Sequence, residues 1–237
     1  MATDSPPKLG FSSCSTHPCP MPELAEVLYF SRRWSPGLGE KVTRVHLHGT
    51  KRIFRGIPPR QLGPALKNQP LRTIQTHGKQ MLFRFGSDRW LGIHLGMTGK
   101  LFTATADHPP SKHDHLVLYT RHRALVFQDP RLFGRIRLSN SPRPPSWWSS
   151  LSIQVSDPKF TPEHLKKITQ KRQGSPLKPL LLLQEFFPGI GNWMADEILW
   201  QAGLHPRTRA GTLLSADAAL LHAKIRKVAR EAIRVIG

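Results

Sequence analysis

The spacing of apolar residues changes twice along this chain of 237 residues. From Met21 the segment PELAEVLYFSRRW sets Leu24, Val27 and Leu28 on one helical face. Pro22 stands at a helix-opening position, and Glu23 and Glu26 sit in the first turn, where the helix dipole favours carboxylates. This predicts a short amphipathic helix. From Lys41 to about Leu138 the pattern shifts to short β-type runs, KVTRVHLH, LRTIQTHGKQMLFRF, RWLGIHL, HLVLYT, RALVFQ and RIRL, divided by Gly, Pro, Asp or Ser. Such runs predict an antiparallel sandwich or barrel. Beyond Phe160 helical periodicity takes over in TPEHLKKITQKR, LKPLLLLQEFF, NWMADEILWQAG and SADAALLHAKIRKVAREAIRVIG, so the second domain is expected to be all-helical. SPRPPSWWSS, from Ser141, has the proline and serine content of a linker. The expected division is a leader over 1–20, a β domain over 21–140, a linker over 141–158 and a helical domain over 159–237.

Composition narrows the class of partner. Thirty-five Lys and Arg against fifteen Asp and Glu leave a formal charge of +20, which opposes compaction and calls for a polyanion, with nucleic acid first among candidates. No apolar run is long enough to span a bilayer and no basic amphipathic helix stands alone, so a membrane partner is not expected. Both cysteines, Cys14 and Cys19, fall in the first twenty residues, which leaves the body without a disulfide framework and suits a reducing, intracellular setting. The leader lacks the apolar core of a secretory signal and the arginines of a transit peptide; it reads as a disordered tail or a mis-called start.

The chain resembles the formamidopyrimidine-DNA glycosylase and endonuclease VIII family at MPELAEV, and the resemblance continues in order through HGKQMLF, HLGMTGKL, KHDHLVL, DPRLFG, the LKPLLL segment and PGIGNWMADEILWQAGLHP. It covers nearly everything from Met21 to Pro206. It implies an α+β multidomain fold, with an N-terminal antiparallel β-sandwich opened by a catalytic helix and a C-terminal all-helical domain of the helix-two-turn-helix type. The implied activity is removal of oxidised bases of the 8-oxoguanine or formamidopyrimidine type, followed by abasic-site lyase chemistry with β,δ-elimination. Double-stranded damaged DNA is the expected partner, a monomer in the cytoplasm or nucleoid the expected state.

Chemistry of the residues agrees with that assignment. Cutting the strand after base removal needs an amine, because an amine adduct at C1′ becomes an iminium that acidifies the C2′ proton. A free proline nitrogen is a secondary amine; an α-amino group titrates near pH 8, so a neutral fraction exists at about pH 7. Within a peptide bond the nitrogen is a resonance-locked amide, so Pro22 is expected to act only in a chain that starts there. Otherwise Pro22 simply opens a helix. By resemblance Glu23 is the general acid/base, with a helix-dipole carboxylate as the plainer reading and Glu26 a weaker claimant. Lys79, at a Gly-Lys hairpin tip, approaches the reacting nucleotide in the family pattern; the alternative is a solvated turn lysine.

Extruding a base leaves a gap that must be filled. Met97, Arg131 and Phe133 match the family's gap-filling positions, although both apolar residues also suit a core. Leu132 departs from the usual Asp-Pro-Arg-Arg-Phe-Gly and puts one backbone contact in doubt. His94 is expected on a phosphate or, failing that, in the core. In PGIGN the glycines are expected to let backbone approach phosphate, with Asn192 capping a helix whose free N–H groups hold the anion. Lys178 matches a family lysine near the lesion, and Glu197 reads as support for the turn.

The family commonly continues into a zinc ribbon. Two leader cysteines cannot supply four thiolates, and His113 and His115 read as structural or phosphate-facing, so no metal and no cofactor are expected. A catalytically silent binder of damaged DNA is the alternative function, and an RNA-binding protein sharing the helical corner is a third.

Overall fold

The computed structural model describes residues 21–49, 51–54 and 57–237; the expected leader lies outside them. Helix α1 spans Leu24–Arg32. Eight strands follow, β1 (Arg44–Leu47), β2 (Leu71–His77), β3 (Gln80–Phe85), β4 (Arg89–His94), β5 (Lys100–Thr105), β6 (Asp114–Tyr119), β7 (Arg123–Gln128) and β8 (Arg135–Asn140), with helix α2 (Pro59–Leu66) between β1 and β2. Five helices complete the chain: α3 (Ser146–Ser149), α4 (Pro162–Lys171), α5 (Leu177–Leu181), α6 (Asn192–Ala202) and α7 (Ser215–Val235).

The strands form two four-stranded sheets, ordered β1-β6-β7-β5 and β2-β3-β4-β8, and every pair is antiparallel. Alternation decides what faces inward. Met81, Phe83 and Phe85 of β3, Leu91 and Ile93 of β4 and Ile136 of β8 meet Leu116, Leu118, Leu125 and Phe127 of the other sheet in one core. The opposite phase of β8 leaves Arg135 and Arg137 outside that core. A second core joins Phe160, Leu165 and Ile168 to Leu180, Ile190, Met194, Ile198, Leu221 and Ile225 in the helical domain. Helix α1 belongs to both, for Val27 is buried in the sandwich core and Leu24 in the helical one. Its N-terminus therefore lies at the junction.

Four segments differ from, or add to, what the sequence pattern predicts. KLFTAT, absent from the expected runs, is strand β5, and PRQLGPAL is helix α2 despite an internal Gly63 and Pro64. LKPLLLLQEFF does not run as one helix: α5 stops after five residues, and Gln184 turns back to bond the Gly189 N–H and the Ile190 carbonyl. The expected linker is ordered and contains α3, with Trp147 against the outer face of β4 at Gly92 and beneath the Arg137 guanidinium.

Candidate functional site

Glu23 is the N-cap of α1 and Pro22 precedes the cap, so neither stands inside the first turn as the periodicity predicted. Both are buried, Glu23 with 1% of its surface exposed. The Glu23 carboxylate crosses to the helical domain, where it accepts N–H bonds from Gly191 at 2.8 Å, Trp193 at 3.1 Å and Met194 at 3.2 Å. The start of α6 is thus an anion site whose anion is Glu23. Three of the amides expected to hold a phosphate are taken by Glu23 instead, and the glycine serves the same contact: a Cβ on Gly191 would stand 2.2 Å from Glu23 Oε1. Asn192 is also not the cap; Gly191 is, and Asn192 is the exposed first residue of the helix. Glu26 ties the corner by accepting from the Glu23 N–H and from Trp193 Nε1.

Burial pushes the Glu23 carboxyl up to about 7, against the downward pull of the three amides and of Lys79. Lys79 follows Gly78 in the two-residue turn between β2 and β3, and only 8% of it is exposed, which excludes a solvated turn lysine. Burial also lowers its pKa, while Glu23 and Glu26 pull it back up. On the adjoining strand His94 pairs with Gln80, the residue after Lys79. Burial first, then the charges of Lys79, Arg137 and Arg135, depress the His94 imidazole to about 4. Its Nδ1 accepts from the Gly96 N–H at 3.0 Å, so the ring is neutral at pH 7 with the proton on Nε2, a donor without charge.

His94 opens onto a cleft of about 360 Å³ lined by Arg52, Gln80, Phe133, Arg135 and Arg137. Two loops meet at its edge. Asp129 is fully buried and ties them, accepting from Thr98 Oγ1 at 2.8 Å on one side and from the N–H groups of Arg131 and Gly134 on the other. The loops carry Met97, 37% exposed, and Phe133, 45% exposed, so neither side chain is in the core. Guanidinium carbons of Arg52 and Arg131 lie 4.9 and 5.0 Å from the Phe133 ring centroid. Leu132 has φ +60° and packs on the sandwich core, while its carbonyl accepts from Arg52 Nε at 2.8 Å.

Other expected residues stand apart from this group. The Lys178 ammonium is 2.7 Å from Asp196 Oδ1, an ion pair between α5 and α6. Glu197 bonds Gln201 within its own helix, which does not support the turn as expected. His115 is buried and bonded to the Asp129 carbonyl, a structural role; His113 precedes β6. Among the described residues no three His, Cys, Asp or Glu are placed to hold a metal ion. Sequence reasoning missed Arg52, Arg135 and Arg137. The last two are two apart in RIRL, and that spacing already put them on one face.

Residues 21–136 match the formamidopyrimidine-DNA glycosylase N-terminal domain family, and residues 151–237 match the formamidopyrimidine-DNA glycosylase H2TH domain family. Two curated relatives carry the same name, formamidopyrimidine-DNA glycosylase. That of Geobacter sulfurreducens is 36% identical over 216 residues, 90% of this chain and 78% of the relative. That of Lactococcus lactis subsp. cremoris is 32% identical over 225 residues, 92% of this chain and 80% of the relative. Among solved structures, the Lactococcus lactis enzyme bound non-covalently to DNA with an abasic site superposes with a TM-score of 0.84 at 29% identity, covering 91% of this chain and 83% of that one. A mutant of that enzyme with Fapy-dG-containing DNA also gives 0.84 at 29% identity, over 91% and 80%.

Proposed function

The chain belongs to the formamidopyrimidine-DNA glycosylase family and is a DNA glycosylase for oxidised bases; from that premise we propose how its residues divide the work. Pro22 is the nucleophile. Its nitrogen pair bonds to the sugar C1′ as the C1′–base bond breaks and the base leaves with the electrons. The proton this leaves on the Pro22 nitrogen passes to the departing base, and Glu23 gives its own to the ring oxygen as the sugar opens, which leaves an iminium joining Pro22 and C1′. The Glu23 carboxylate then takes the C2′ proton and the C3′–O bond breaks, with the phosphate keeping the pair; a second elimination releases the 5′ phosphate. None of these steps calls on a cofactor.

The observation that carries this reading is Glu23: a buried carboxyl held by three amides, beside the proline and near a buried lysine, with a pKa about 7 that lets it both give and take a proton near neutrality. Lys79 faces the reacting nucleotide, and His94 offers Nε2–H to a phosphate. Met97, Arg131 and Phe133 fill the gap left by the flipped base. Asn192, exposed at the head of α6, contacts the backbone of the DNA, and Lys178 acts further along it. The partner is damaged duplex DNA, met by a monomer inside the cell. No helix among the described residues is long and apolar enough to cross a membrane.

Pro22 is bonded to Met21 in this sequence, and an amide nitrogen does not attack a sugar. The active form therefore begins at Pro22. Borohydride trapping on 8-oxoguanine or abasic duplex tests this: a chain begun at Met21 and freed of its methionine gives a covalent adduct, and the uncleaved chain gives none. No adduct from the Pro22 form would leave a silent damage-binding protein as the better description.

A further inference from the structure

We propose that Gln154, in the segment between the two domains, is a positioning residue that sets Lys79 opposite Glu23; the proposal rests on Lys79 belonging to the active site. Among the described residues no ion pair takes the Lys79 ammonium. Its place is therefore fixed through the backbone of its own turn.

That turn is gripped from outside the sheet. The Gly78 N–H donates to Gln154 Oε1 at 3.0 Å, and the ring of His77 bonds through Nε2 to the Ser152 carbonyl at 2.7 Å. Gly78 has φ +55° and lies so close to the PGIGN loop that a Cβ there would stand 2.7 Å from Pro188 Cβ and 2.9 Å from the Gly189 nitrogen. The same loop receives α1, since the Leu24 N–H donates to the Gly189 carbonyl at 3.0 Å. Gln154 itself is anchored by its neighbour Val155, which is fully buried in the helical core. The body that holds Glu23 through its three amides thus also holds the tip that carries Lys79. Without Gln154 the Gly78 N–H loses its acceptor in a partly buried place, which favours a shift of the turn toward water.

Gln154→Met keeps the length and removes the acceptor, whereas Gln154→Glu keeps an acceptor. Titration of the ε-carbon-labelled lysines by NMR in the intact chain, without DNA, should show Lys79 moving up toward an ordinary lysine in Gln154→Met. In single turnover with 8-oxoguanine duplex, the form beginning at Pro22 and carrying Gln154→Met should lose about 10- to 100-fold in maximal rate constant with its half-saturating concentration little changed, the scale of a misplaced catalytic group. Gln154→Glu should recover most of that rate. An unchanged Lys79 titration in Gln154→Met overturns the proposal, as does a Gln154→Glu as slow as Gln154→Met. Failure of the otherwise wild-type form beginning at Pro22 to give a borohydride adduct would strike the functional reading instead, and the titration would still decide the role of Gln154.

Discussion

At the scale of single residues, Glu23 joins stability to chemistry. Its carboxyl is raised from 4.5 to about 7, so its contribution to folding is complete below about pH 4.5 and is lost as pH rises through 7. His94 works in the opposite sense: depressed from 6.5 to about 4, it contributes above 6.5 and is lost as pH falls through 4. Because the two overlap, the wild-type stability curve alone does not separate them. Comparing wild type with Glu23→Gln by denaturant unfolding from pH 4 to 8 does, and the variant should gain relative stability steadily across pH 5–7. In activity, the alkaline limb of the pH–rate profile near 7 should vanish in Glu23→Gln along with most of the rate; a limb that persists would move the proton donor elsewhere. Phe133→Ala removes a side chain already 45% exposed, so unfolding should change by no more than about 0.5 kcal/mol. Base release from duplex should nonetheless slow by roughly 10- to 100-fold, since refilling the stack is worth a few kcal/mol. Base release from a single strand should slow far less.

At the scale of elements, the meeting of α1 with α6 organises the site. The helix dipole of α6 and its unpaired amides need an acceptor, and Glu23 supplies it from another domain. The close approach depends on Gly191. Gly191→Ala drives a methyl into the Glu23 carboxylate, and overpacking of this kind costs about 1–3 kcal/mol. Urea unfolding should register that loss together with a fall in glycosylase rate. Equal activity and stability in the variant would mean the two helices are not coupled as described. The β hairpins, by contrast, were readable from their alternation, except β5, where Thr103 and Thr105 dilute the apolar signal.

At the scale of the whole molecule, the +20 charge is concentrated in part around the cleft of Arg52, Arg135 and Arg137. Binding to duplex DNA should weaken steeply with salt. Replacing any one of these arginines with Gln should flatten the log–log slope by about 0.9 if that side chain neutralises a phosphate. Fluorescence anisotropy between 50 and 200 mM salt, the range over which about 10³-fold losses accompany six phosphate contacts, reads this directly. An unaltered slope for all three variants would remove the cleft from the DNA path. The sequence alone determined the order of a β domain and a helical domain, the basic charge, and the types of residue the chemistry needs, because period, composition and motif are local properties. It did not reveal that the α6 amides belong to Glu23, that Asn192 is not a cap, that Lys79 is buried, or that Asp129 joins the Met97 and Phe133 loops. Each of those depends on which distant segments touch. Only the packing of two cores around α1 and of the loops beside them decides that, since contacts between segments far apart in the chain leave no trace in local spacing.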